Sequence, residues 1–152
     1  MVDVGYGPKP TNAILVAGNP LIQILKIQTA DDCYPGRLVK KGTNDDDVVV
    51  NTQNGAAIGW LGYEQTIKKH RPSTVDTVYS ANAQAAVLHG EHFIIVATLQ
   101  TGQTITKGAL LKAGATGTVE AATIGTHDVI AVAEESVTTT TSVADIMVRS
   151  RL

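Results

Sequence analysis

Two stretches of this chain, YPGRLVKKG at residues 34–42 and TITKGALLKAG at residues 104–114, are near-copies, and their spacing restricts the fold more than any other feature. Gly36 and Gly108, Leu38 and Leu110, Lys40 and Lys112, and Gly42 and Gly114 are each separated by 72 positions. The same offset lays Thr29 on Thr101 and Ile58 on Ile130 without a gap, which extends the candidate repeat to residues 24–63 and 96–135. What recurs is a turn glycine, two apolar strand residues, a lysine and a second turn glycine. No constellation of serine, histidine, aspartate or cysteine recurs with them. Such a repeat is architecture. Gly36 and Gly108 suit turns that need a positive φ or a close backbone approach, where a Cβ is costly.

Around the repeat run short apolar and β-branched segments: LIQILKIQ, VVV, AAIGWLGYE, HFIIVATL, ALLK, TVEAA, DVIAVAEE and ADIMVRS. Glycine, asparagine and aspartate punctuate them, which predicts an all-β chain forming a small β-barrel or β-sandwich, as one unit or two related halves. ANAQAAVLHG at residues 81–90 has some helical propensity, but its β neighbours favour a hairpin that turns at HGEH into HFIIVATL. The first twenty residues hold Gly5, Gly7, Pro8, Pro10, Gly18 and Pro20. That density excludes a helix, so residues 1–20 read as an extended arm before a β-rich domain at residues 21–152. Within the arm, Ile14, Leu15 and Val16 form an apolar stretch able to add to the edge of a partner's sheet.

Charged residues make up 17% of the chain, well below the usual proportion of about a quarter, and net charge is −2. Broad, weakly charged surfaces of this kind are suited to coverage by partners. Nucleic acid is excluded as a partner: beyond the short KKHR run no basic cluster exists, and aromatic content is only 4%. No segment approaches the roughly eighteen apolar residues of a membrane helix, and no secretory signal pattern opens the chain. Cys33 stands alone beside Asp32 and Tyr34, with no basic neighbour to favour a thiolate.

The chemistry-bearing motifs are each incomplete. His89 and His92 flank Glu91 in HGEH, but zinc needs a third ligand and an orienting outer shell. His127 beside Asp128 resembles a base and its orienter without a nucleophile. The consecutive acids of NDDD at residues 44–47 lack the alternating oxygens and distal glutamate of a calcium loop. The expectation is therefore no enzyme activity, no metal and no cofactor. Trp60 and Tyr63 in GWLGYE stand between two roles, partner-contact anchors or core filling. A β-clip or lipoyl-like binding module is a rival reading, although Lys107 and Lys112 lack the methionine flanks of a modified lysine.

The pattern across residues 79–149, carried by Gly102, Ile105, Gly108, Lys112, Gly117, Val119, Ala122 and the Ile130–Glu134 run, resembles the capsid decoration, or cement, proteins of tailed bacteriophages. The resemblance covers roughly half the chain and rests on glycine-and-apolar spacing. It implies a structural virion protein on the outer surface of the head, made in the host cytoplasm, that bridges neighbouring major capsid proteins. It also implies self-association, with a homotrimer favoured over a dimer, and an arm that adds strands to the coat protein. Other β-rich virion components, of the tail or of a head fibre, belong to the same structural class.

Overall fold

The computed structural model describes Tyr6 and residues 8–152. Strand β1 (Leu15–Ala17) precedes a closed barrel of five strands: β2 (Leu21–Ile27), β3 (Leu38–Lys41), β4 (Asp47–Val50), β5 (Gly59–Leu61) and β6 (Gln84–His89). Their order around the barrel is β2-β4-β3-β5-β6. A second set follows: β7 (Glu91–Leu99), β8 (Thr104–Ile105), β9 (Leu110–Ala113), β10 (Val119–Ala121), β11 (Ala131–Ala133), β12 (Val137–Thr138) and β13 (Ala144–Arg151). Here β7-β10-β9-β11-β13 closes through the β7–β13 pairing, while β8 and β12 form a two-stranded ribbon at the side. The described residues are all-β, apart from a 3-10 turn at Ala115–Gly117.

The two barrels agree strand by strand. An offset of 72 carries Leu38–Lys41 onto Leu110–Ala113 and Gly59–Leu61 onto Ala131–Ala133, and places Asp47 on Val119. In each barrel a single parallel pair, β2–β4 or β7–β10, sits among antiparallel ones. The closing strands obey a different offset of 61, because Ile22 pairs with Leu88 where Ile94 pairs with Arg149. The change arises in one connection, which is residues 62–83 in the first barrel and the shorter 134–143 in the second. Inward positions correspond as well. Leu25, Ile27, Val39, Leu61 and Val87 fill the first barrel, and Ala97, Leu99, Leu111, Ala133 and Val148 fill the second.

Residues 84–89 are a strand, as expected, but the hairpin at HGEH does not form. All six residues of β6 are taken by β2, and β7 pairs along its length with β13. These long ladders outweigh the local turn, and the chain passes through Gly90, at φ +108, from one barrel directly into the other. The outer face of the first barrel then packs on the second: Leu38, Trp60 and Leu88 share one buried cluster with Phe93 and Ile95. Inside it Trp60 Nε1 donates to Ser150 Oγ at 3.0 Å, and Ser150 Oγ donates to the Gly90 carbonyl at 2.8 Å.

The arm is tied to the barrels from Lys9 onward; its residues 1–5 and 7 lie outside the described residues. Strand β1 pairs antiparallel with β7, and Ile14 is buried in the shared cluster. The Glu64 carboxylate accepts the N–H groups of Ile14 and Leu15 at 2.8 and 3.1 Å, and Lys9 pairs with the buried Glu135 at 2.9 Å. Glu135 also accepts the Met147 N–H at 2.7 Å, so this carboxylate joins the arm to β13.

Candidate functional site

Several of the residues with potential chemistry are engaged in structural contacts. His89 ends β6 while Glu91 and His92 open β7; His92 is exposed and lies 3.5 Å from Glu91. Among the described residues no group of three or more His, Cys, Asp or Glu side chains converges as a metal site would require. His127 Nδ1 accepts the Thr123 N–H at 2.9 Å, which pins a surface turn. Cys33 is fully buried, and that burial pushes its thiol up to about 11, far from a reactive thiolate. Within KKHR, Arg71 donates to the Glu64 and Thr66 carbonyls and lies over the Tyr63 ring, so it fastens the long connection of the first barrel. Thr139, from the threonine run, exchanges hydrogen bonds with Gln100 and Gln103.

Of the consecutive acids, one turns inward. Asp47 accepts hydrogen bonds from the Asn44 backbone and side chain, and meets Lys26 at 3.0 Å. The Lys26 bond, with help from Asn44, holds the Asp47 carboxyl below its ordinary value. A depressed carboxylate stabilises the fold above its unfolded pKa of about 3.9, and that contribution is lost as pH falls through the lower folded value. Asp47→Asn is therefore expected to lower the melting temperature at pH 7, with parent and variant converging in acid. Parallel thermal melts across pH check this. A gap between the two that stays constant down to strong acid would exclude the ion pair as its source.

A cleft of about 500 Å³ lies where the arm crosses between the barrels and is lined by Asp32, Arg37, Asp76 and Asp145 among others. Among the described residues its lining has no histidine, cysteine or serine. Arg37 is already committed, stacking on Tyr34 at 4.8 Å and donating to the Thr116 carbonyl at 2.9 Å. The cleft offers shape and mixed charge.

The other sequence-selected residues also fall in the scaffold. Trp60 is fully buried and Tyr63 nearly so, the latter donating its hydroxyl to the Ser73 carbonyl at 3.0 Å. Gly36 and Gly108 have φ of +85 and +91, and their N–H groups donate to Leu61 and Ala133 carbonyls that are themselves 72 residues apart. An added Cβ at Gly42 or Gly114 meets neighbouring side chains at close range. Ile14 is buried, with Leu15 and Val16 half-buried.

What sequence reasoning passed over is β2. Leu21, Ile22 and Ile24 are exposed, although the segment reads as an ordinary apolar strand. A signal was present in the repeat: the offset of 72 sets Ile22 and Ile24 on Ile94 and Val96, which are buried. Apolar surface on successive strand positions is the kind that binds protein. Among the described residues no helix is long and apolar enough to cross a membrane.

Three comparisons bear on this arrangement. A family model described as XM1 gp53 minor capsid protein matches residues 10–149, across both barrels. A search of curated proteins found no match. Among solved structures, the chain is similar to the crystal structure of the head fiber gp8.5 N base in bacteriophage phi29. The two are 15% identical with a TM-score of 0.52, and the match covers 87% of this chain and 94% of that one. At that identity the likeness concerns the fold.

Proposed function

This chain belongs to the XM1 gp53 minor capsid protein family and is a structural virion protein, and on that footing we propose that it decorates the outer surface of the phage head by bridging neighbouring major capsid proteins. The observation that carries the reading is the family match, which spans both barrels and not one alone. Two barrels with a common core give two faces at a fixed separation, as a bridge between subunits needs. Each contact can be weak, because engagement of one face raises the effective concentration at the other. A protein that binds only the assembled head stabilises it by mass action. No covalent chemistry enters this mechanism. Self-association as a trimer, carried over from the resemblance, is checked by sedimentation of the isolated chain.

The experiment is reconstitution on purified heads that lack the protein. Co-sedimentation is expected to saturate at a fixed ratio to coat subunits and to raise the temperature at which heads break down. Failure to co-sediment would overturn the reading. A second reading, the base of a head fibre, draws support from the shared fold with the phi29 fiber base. It expects a projecting appendage beyond the bound chain in electron micrographs of native virions.

A further inference from the structure

Among the described residues one edge of β2 has no partner strand before Lys26, and the other barrel shows what such an edge holds. Residues 21–26 of β2 pair with β6 along one side. On the other side β4 reaches only Lys26 and Ile27, where the Lys26 N–H donates to the Asp46 carbonyl at 2.8 Å. Backbone groups of a strand point to alternate edges. The N–H and C=O groups of Ile22 and Ile24 therefore face the same way as the Lys26 N–H, and among the described residues no strand pairs with them there.

Their counterparts in β7 are Ile94 and Val96, and that edge is filled. Strand β1 lies antiparallel along it, the Val96 N–H donates to the Ile14 carbonyl at 2.9 Å, and Val16 and Ala17 pack on both side chains. Ile94 and Val96 are consequently 4% and 5% exposed, against 48% and 49% for Ile22 and Ile24. Folded proteins guard free edges with charges, prolines or bulges. Residues 21–25 carry no charge, and Pro20 stands just outside the open stretch.

We infer that this edge takes an extended segment of the major capsid protein, antiparallel to β2, whose carbonyl receives the Ile24 N–H and whose apolar side chains cover Ile22 and Ile24. The inference rests on the reading above that the chain sits on the coat lattice. β1 supplies the chemistry of the segment: a few uncharged residues, branched and apolar, like Ile14–Val16. A neighbouring copy's arm is a poor donor. Its Ile14 is buried between its own two barrels, its backbone is held by Glu64 and its Lys9 by Glu135, so lending the strand would strip one site to fill another. The coat protein, by contrast, lies beside every bound copy.

Two variants test it. Ile22→Lys with Ile24→Lys charges the exposed face, and Ile24→Pro removes only the N–H aimed at the open edge, a substitution that edge strands tolerate. Each is expected to melt with the parent and to bind heads up to about tenfold more weakly, the scale of one lost main-chain hydrogen bond. On heads, the Ile24 amide of the parent is expected to gain protection from hydrogen exchange. If the parent binds heads and both variants bind equally well, the inference is overturned while the decoration reading stands. If the parent does not bind heads, both fall. If the variants keep full head binding but lose self-association of the isolated chain, the edge belongs to a second copy and the inference fails.

Discussion

Trp60→Ala is expected to destabilise the protein by about 3–5 kcal/mol, the range for removing a large aromatic side chain from a core. Trp60 is fully buried between the barrels, packed with Leu38 and Leu88 on one side and the second barrel's cluster on the other. Its loss leaves a cavity that neither closed barrel can collapse into, since each ring of strands is fixed by its own ladders. Ser150 keeps its bond to the Gly90 carbonyl, so the penalty is packing more than an orphaned polar group. Trp60→Phe restores part of the volume and is expected to fall between parent and Trp60→Ala. Urea denaturation followed by circular dichroism measures both. A Trp60→Ala midpoint within error of the parent would remove Trp60 from the account of how the barrels hold together.

Valine at Gly36 and at Gly108 separates two effects that the sequence presents as one. Both positions have a positive φ, and forcing a β-branched residue there costs on the order of 1–3 kcal/mol. At Gly108 an added Cβ meets open space, so strain is the whole penalty. At Gly36 it runs into the Val96 carbonyl oxygen and approaches Ile14 Cδ1 at 3.2 Å. Gly36→Val is therefore expected to carry the same backbone strain and also to push β7 and the arm away, with melting clearly below that of Gly108→Val. Matched melts of the two variants would show that the close approach to β7 carries no energy.

The contrast shows how far the residues could be read without coordinates. Turns and strand alternation are local properties, so the glycines at positions 36 and 108 and the runs around them announce an all-β chain and the spacing of 72. Pairing is not local. The segment at residues 84–89 is plainly strand-forming, yet its partner is β2, some sixty residues earlier, and not the adjacent β7. Side-chain orientation is equally hidden. Asp45, Asp46 and Asp47 are chemically alike, and only the approach of Lys26 from a parallel strand selects Asp47 as the buried one. The arm's apolar residues signal an edge strand, but the edge they occupy is the chain's own β7. The exposed face of β2 is hidden for the complementary reason: the strand's own sequence carries no mark of a missing neighbour, and only its alignment with the buried Ile94 and Val96 of the repeat points to one.

The passage through Gly90 has a mechanical meaning. Tethered modules usually swivel, because the peptide between them is long enough to bend. Here a single residue separates the last strand of one ring from the first of the next, and the Ser150 hydroxyl clasps its carbonyl. Such a junction has no slack to stretch and no extended loop for a protease to grip. The two rings are thereby held at a short, fixed spacing.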